Sequence, residues 1–70
     1  MGETRESGAE ALSPAERRIL ELVADGLTNA EIARQLWVTE TTIKFHLSRI
    51  YRKLGVANRT AAASRLRRET

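Results

Sequence analysis

The chain has 70 residues, no cysteine, one histidine and a net charge of +3 at pH 7. This length allows a single domain with a thin hydrophobic core. Without cysteine there is no disulfide or thiolate metal site, and one histidine cannot build a metal site alone, so we expect no cofactor. No apolar run reaches the roughly 18 residues that span a membrane, and the polar first ten residues do not resemble a signal peptide. We therefore expect a cytoplasmic protein without membrane contact.

The two parts of the chain differ strongly in charge. Residues 1–40 carry four basic and eight acidic side chains, whereas residues 41–70 carry eight basic side chains and one acidic side chain. This division predicts a basic surface formed by the second part of the chain, which is typical of proteins that bind a polyanion such as nucleic acid. The alternative is a solvated basic surface that has no partner.

Residues 1–11 lack apolar periodicity and are predicted to form a flexible tail or linker before one domain over residues 12–68. A first helix is predicted to begin after Ser13, because Ser13 can cap it and Glu16 can complete a capping box. Its end is predicted at Gly26, since glycine can adopt the left-handed conformation that closes a helix.

A second capping box, formed by Thr28 and Glu31, predicts a short second helix. Only about three residues, beginning with Trp37, lead from this helix to Thr39, which can cap a third helix. So short a joint forces the two helices to cross steeply, which is the geometry of a helix-turn-helix motif. Trp37 is interpreted as covering the thin core, since its large ring contributes much burial, with exposure near a DNA backbone as the alternative.

The third helix is the longest and runs to about Leu54, where Gly55 can end it. One side of this helix is an apolar stripe, formed by Ile43, Leu47, Ile50 and Leu54. A fourth helix, rich in alanine, is predicted from Arg59 to about Arg67. Because no strand pattern occurs, the sequence predicts an all-α fold, a four-helix bundle that contains a helix-turn-helix.

The side of the third helix opposite the apolar stripe has the chemistry of a DNA-reading surface. With about 100° per residue, this side carries four candidates for contacts with bases: Thr41, Lys44, Phe45 and Ser48. Lys44 can donate to guanine, the hydroxyls can hydrogen-bond bases, and Phe45 can pack on a thymine methyl. The alternatives are a phosphate contact for Lys44, a scattered exposed apolar residue for Phe45, and a solvated position for Ser48.

Other polar residues of the third helix are candidates for contacts with the DNA backbone. Arg49, Arg52 and Lys53 carry charges that can neutralise phosphates, which positions a protein without reading the sequence. His46 lies at the edge of the apolar stripe. It is therefore either a partly buried side chain or a phosphate contact.

Several separated motifs resemble the LuxR-type helix-turn-helix domain of bacterial transcription regulators. They lie at residues 12–16, 27–33, 42–46 and 53–56 and at Arg59, within a resemblance that covers about residues 12–66. The resemblance implies a tetrahelical DNA-binding output domain, which in this family typically follows a phosphorylated receiver domain or a small-molecule sensor domain.

The resemblance also implies roles for individual residues. It agrees with base contacts from the four residues above, and it adds or supports backbone contacts by Thr28, Asn29, Thr42, His46 and Lys53. The positive end of the second helix suits a phosphate. Members of the family usually bind DNA as dimers through the fourth helix, which assigns a dimer interface to Ala61, Ala62 and Arg65. Since small side chains bury little area, we expect this dimer to be weak. Glu16, Glu31 and Arg59 would be structural residues paired by charge.

Two other binding functions share this fold. The promoter-reading domain of a sigma factor has the same helical layout, but the motifs at residues 42–46 and 53–56 favour the LuxR type. A protein-interaction module would be expected to lose the cations of the third helix, which are present.

We find no nucleophile–base pair, phosphate-binding glycine loop or metal-ligand cluster, so we expect no enzyme. The expected partners are double-stranded DNA, a second copy and, as a further candidate, RNA polymerase, with no small-molecule ligand.

Overall fold

The computed structural model describes residues 11–69, with the side chain of residue 69 left out, so the predicted tail over residues 1–11 lies outside it except for Ala11. Within the described residues the chain forms α1 (Pro14–Ala24), α2 (Asn29–Leu36), α3 (Glu40–Leu54) and α4 (Arg59–Glu69), with no strand among them. The predicted all-α class and the order of four helices are confirmed. No helix in the described part of the chain has the length and apolar character needed to cross a membrane.

The helices begin at the residues that the capping signals predict. Ser13 Oγ accepts a hydrogen bond from the Glu16 N–H at 3.1 Å, and Glu16 Oε1 accepts one from the Ser13 N–H at 2.9 Å. Thr28 and Glu31 form the same reciprocal pair at the start of α2. At α3, Thr39 Oγ1 accepts from the Thr42 N–H at 3.1 Å. Each cap satisfies backbone donors that have no partner inside the helix.

Two helices end at a left-handed glycine, and an apolar residue then folds back. Gly26 has φ +94° and Gly55 has φ +69°, a region that other residues rarely adopt. The following Leu27 N–H donates to Leu22 O at 3.1 Å, and the Val56 N–H donates to Tyr51 O at 3.0 Å. Leu27 and Val56 both pack against the core.

The core lies where α1, the helix-turn-helix pair and α4 meet. Its most deeply buried large side chains are Ile19, Leu20, Ile32, Ile43 and Ile50. The whole predicted stripe of α3 is buried, so the fit of α3 against the bundle fixes which side of the helix faces solvent. The inner side of α4 consists of small residues and one leucine, which lets α4 pack closely against α1.

Two arginines of α4 tie this helix to the helix-turn-helix. Arg59 Nη1 donates to Asn29 Oδ1 at 2.6 Å, and Arg59 Nη2 donates to the carbonyl of Leu27. Arg65 Nη1 donates to Leu54 O at 2.8 Å, at the end of α3 where carbonyls lack helical partners. Arg59 was expected to pair by charge, but within the described residues it binds an amide oxygen and a carbonyl oxygen instead of a carboxylate.

Candidate nucleic-acid interface

The side of α3 that faces away from the core carries the four residues predicted to contact bases. Thr41, Lys44, Phe45 and Ser48 are all exposed, and their spacing places them along one side of the helix; we call these four the outer face of α3. Phe45 is 61% exposed. A large ring held in water opposite a well-packed stripe is a costly use of an aromatic residue, which makes this face a candidate binding surface.

Phe45 is flanked by two other side chains of the same helix. The guanidinium carbon of Arg49 lies 5.9 Å from the centre of the Phe45 ring, within the range of a cation–π contact. The His46 ring lies 5.9 Å from the Phe45 ring at an angle of 65°, which is an edge-on arrangement. The exposed ring therefore lies next to two side chains of the same helix.

Glu16 of α1 gathers two of the cations predicted to contact phosphates. The carboxylate is only 3% exposed. Its Oε2 accepts a hydrogen bond from Arg49 Nε at 3.3 Å, and its Oε1 accepts one from Lys53 Nζ at 2.7 Å. Burial alone would raise the pKa of Glu16, but the hydrogen bonds from Lys53, the Ser13 N–H and Arg49 outweigh it and lower the pKa from 4.5 to about 2. Glu16 is thus an ionised group at neutral pH, and its expected charge pairing is confirmed.

The three backbone-contact candidates at the end of α3 therefore differ. Arg52 is exposed, whereas Arg49 and Lys53 share the buried carboxylate of Glu16. Arg49 engages Glu16 through Nε, which leaves its two terminal nitrogens as donors for a phosphate. Lys53 is half-buried, and part of its charge is neutralised by its short contact with Glu16.

His46 is half-buried, and its Nδ1 atom is buried without a hydrogen-bond partner. With Val38, Ile43 and residues of α1, it lines an apolar cavity of about 280 Å³ beside the turn. This placement agrees with the partly buried interpretation. A contact with a phosphate would have to come from Nε2, because Nδ1 is shut off from solvent.

At the start of α2, some of the side-chain groups predicted to contact a phosphate already take part in hydrogen bonds within the domain. Thr28 is exposed, but its hydroxyl oxygen already accepts from the Glu31 N–H. Asn29 is half-buried, and its Oδ1 accepts from Arg59, so its amide N–H₂ group is the part available to an acceptor. The pKa of Glu31 is lowered, chiefly by the hydrogen bond from the Thr28 N–H. Glu31 does not pair with Arg59.

Trp37 does not cover the core, so the favoured interpretation of this residue is wrong. It is 92% exposed and ends α2 in a left-handed conformation with φ +62°. The chain reverses at this residue, and its neighbours Leu36 and Val38 face the core and the apolar cavity instead. The size of the indole ring was a misleading signal, because the backbone at a helix end decides where a side chain points.

The three residues assigned to a dimer interface are placed differently on α4. Ala61 is half-buried, and Arg65 is half-buried with one donor on the Leu54 carbonyl. Ala62 is 0% exposed, since it lies in the hydrophobic core of the domain. The expectation for Ala62 is therefore corrected: its side chain has no surface left for a second copy. The exposed residues of α4 include Thr60, Arg67 and Arg68.

Comparison with known proteins agrees with this geometry. Residues 10–66 match the family described as bacterial regulatory proteins, luxR family. The nitrate/nitrite response regulator NarL of Escherichia coli K12 is 43% identical over 60 residues, which cover 86% of this chain and 28% of NarL. A putative HTH-type transcriptional regulator of Mycobacterium bovis is 44% identical over 52 residues, which cover 74% of this chain and 6% of that protein. The chain therefore spans only 6–28% of the length of these two curated relatives.

Two solved structures share the fold. The crystal structure of the response regulator ChrA matches with a TM-score of 0.81 and 43% identity, covering 96% of this chain and 31% of that one. A chain in the structure of the anti-activator RapF complexed with the ComA DNA-binding domain matches with a TM-score of 0.77 and 40% identity, covering 79% of this chain and 95% of that one. The chain belongs to the luxR family of bacterial regulatory proteins.

Proposed function

We propose that this domain recognises specific sites in double-stranded DNA by inserting α3 into the major groove. The observation that carries the proposal is the outer face of α3, where Phe45 is exposed beside Lys44 and Arg49 on a helix whose other side is fully packed. A helix presented in this way fits the width of the major groove. The domain would serve as the output part of a regulator in the bacterial cytoplasm, with no catalytic step of its own.

Base recognition is assigned to the outer face. Lys44 donates to guanine O6 or N7, and Phe45 packs on a thymine methyl group. The hydroxyls of Thr41 and Ser48, both exposed, donate to or accept from base edges within reach of the groove floor. Together these side chains read a short half-site rather than a long sequence.

Backbone contacts flank this face on both sides. Arg52, the terminal nitrogens of Arg49 and the partly neutralised Lys53 meet phosphates beyond the end of the half-site. Thr42 and the Nε2 atom of His46 contact phosphates of the DNA strand that lies near the start of α3. At the start of α2, the Asn29 amide and the exposed edge of Thr28 approach a phosphate that the positive helix end favours.

Two copies are expected to bind together, with α4 forming a weak contact between them. Ala61 and the outward part of Arg65 belong to this proposed contact, whereas Ala62 is excluded by its burial. Paired domains of this kind bind half-sites about one helical turn apart, roughly 10 base pairs from centre to centre. Contact with RNA polymerase is a further expectation for such an output domain.

A protein-interaction role is the second candidate. It is favoured by one observation: the RapF structure contains a domain similar to this one in complex with an anti-activator. We assign the contact with such a partner to the exposed Trp37, and the two roles can then coexist, since the outer face of α3 and Trp37 lie on different parts of the helix-turn-helix. The sigma-factor alternative loses its support because the chain belongs to the luxR family.

The test is a selection from random DNA duplexes. The purified chain is incubated with the pool at physiological salt, and the retained duplexes are sequenced. Enrichment of a two-fold symmetric site is the expected result. A failure to retain any duplex, even at low salt, would overturn the proposal in favour of the interaction role.

A charge-matched control makes the selection specific. Arg17→Ala removes one positive charge from α1, where Arg17 pairs with Glu21 at 3.8 Å, and it should leave the enriched site unchanged. Lys44→Ala removes one charge from the outer face and should change the enriched bases. If both variants behaved alike, the outer face of α3 would not be the reading surface.

A further inference from the structure

We infer that Glu16 of α1 is a positioning residue for base recognition by α3, because it holds Arg49, and Arg49 in turn holds the Phe45 ring on the outer face. This inference rests on the proposed function, which places Phe45 against a base. It assigns a part in sequence discrimination to a buried residue that touches no DNA and lies on a different helix.

The first link is a buried carboxylate that several hydrogen bonds hold in place. Glu16 is 3% exposed, and its Oε1 is bound by the Ser13 N–H at 2.9 Å and by Lys53 Nζ at 2.7 Å. The capping box ties this oxygen to the backbone at the start of α1. The second oxygen, Oε2, is then aimed at Arg49, and the position of that acceptor is set by α1 rather than by α3.

The second link is the guanidinium of Arg49. Its Nε donates to Glu16 Oε2 at 3.3 Å, while its central carbon lies 5.9 Å from the Phe45 ring. A guanidinium is planar, so a hydrogen bond at Nε restricts the orientation of the whole group. Arg49 is four residues after Phe45 on α3, a spacing at which side chains of one helix meet. Fixing Arg49 therefore restricts the space in which the Phe45 ring can move.

The third link is the benefit to recognition. An exposed side chain loses rotamer freedom when it is immobilised in a complex, and that loss lowers affinity. Phe45, although 61% exposed, has Arg49 and His46 as neighbours within 5.9 Å. A ring that is already oriented gives up less freedom and meets the intended base in one arrangement. Discrimination at that base should then depend on Glu16.

Glu16→Gln separates this role from the structural one. A glutamine can keep the capping box, with its carbonyl oxygen accepting from the Ser13 N–H as Oε1 does. Its amide nitrogen then faces Arg49 Nε, so that two donors meet and the link to Arg49 is broken. The matched control is Lys53→Met, which removes the other cation from Glu16 but leaves the hydrogen bond to Arg49 in place.

Two measurements are made on both variants and the unmodified chain. The first is discrimination between two duplexes, the selected site and the same site with one base pair changed. The changed base pair is the one at which Phe45→Ala loses its preference, and discrimination is the ratio of the two affinities. Glu16→Gln should lower this ratio by about two- to fivefold, the effect of one exposed cation–π contact, and should have no further effect in a Phe45→Ala background. Lys53→Met should weaken binding to both duplexes equally and keep the ratio.

The second measurement needs no DNA. The ring current of Phe45 shifts the proton NMR signals of the Arg49 side chain. This shift should be lost in Glu16→Gln and should persist in Lys53→Met. The inference is overturned if Glu16→Gln keeps both the discrimination ratio and the Arg49 shifts, even where its melting temperature falls. Failure of the unmodified chain to bind any duplex would reject the proposed function, and the NMR result would still decide whether Glu16 positions Phe45.

Discussion

α3 and α4 each carry four cations among the described residues, but they use them differently. On α3, Lys44 and Arg52 are exposed, and Arg49 and Lys53 meet at a carboxylate next to the outer face. On α4, Arg59 and Arg65 turn inward and bind oxygen atoms of α2 and α3. A count of charge along the chain treats the two helices alike. The comparison teaches that Arg59 and Arg65 of α4 hold the domain together, whereas α3 presents Lys44 and Arg52 to solvent and keeps Arg49 and Lys53 on the carboxylate of Glu16.

Acid should have the largest effect, because it removes the ion pairs of Arg49 and Lys53 with Glu16. The pKa of Glu16 is about 2 in the folded chain and ordinarily 4.5, so the ion pairs stabilise the fold above pH 4.5 and this stability is lost as the pH falls from 4.5 towards 2. The loss should reach about 2–3 kcal/mol by the linkage of proton binding to folding. Thermal melts followed by circular dichroism between pH 7 and pH 2 measure it. Glu16→Gln should lack this part of the pH dependence, and an identical profile in that variant would contradict the assignment.

Arg59→Ala tests the inward use of charge on α4. The change removes two hydrogen bonds from a cation to oxygen atoms at the start of α2, which should destabilise the fold by about 1.5–3 kcal/mol. Urea unfolding is the measurement. Arg68→Ala, an exposed change on the same helix, is the control and should alter stability by less than about 0.5 kcal/mol. Equal effects of the two changes would remove the distinction between inward and outward cations.

Lys44→Ala tests the outward use of charge on α3. Its side chain is exposed, so stability should change by less than about 0.5 kcal/mol. Binding to the selected site should weaken by about 1–3 kcal/mol, with relaxed preference at one base pair. Fluorescence anisotropy of a labelled duplex measures the affinity. Equal weakening on all duplexes would instead make Lys44 a phosphate contact.

Arg52→Ala should have the smallest effect. A single phosphate contact from this exposed residue contributes to affinity without reading bases. The slope of log affinity against log salt concentration should fall by about 0.9. Affinities for the selected duplex at several salt concentrations give this slope. A change in base preference would show that Arg52 reaches the groove floor.

The helix starts and ends were predictable because their signals are local. A serine or threonine three residues before a glutamate identifies a capping box, and Gly26 and Gly55 are the residues for which a left-handed end costs least. The apolar stripe of α3 was predictable for the same reason, and it determined the outer face. Local signals were therefore sufficient for the fold class and for the exposed base-contact candidates.

Contacts between distant parts of the chain were harder to predict. The hydrogen bond from Arg65 to the Leu54 carbonyl depends on where α4 crosses α3, which no spacing in the sequence reports. The burial of Ala62 likewise depends on how α4 packs against the rest of the domain. The prediction that Trp37 covers the core was wrong for a different reason. Trp37 occupies a left-handed helix end, a position that a glycine would have made recognisable in the sequence.

Trp37 also decides how this domain can be observed. It is the only tryptophan of the chain, and its indole is 92% exposed before any unfolding takes place. Its intrinsic fluorescence should resemble that of tryptophan in water and change little when the core melts, so emission is a poor reporter of unfolding here. The same property makes it a sensitive reporter of occupancy. Any molecule that covers the turn between α2 and α3 should shift the emission to shorter wavelength, whereas a molecule bound elsewhere should leave the spectrum as it is.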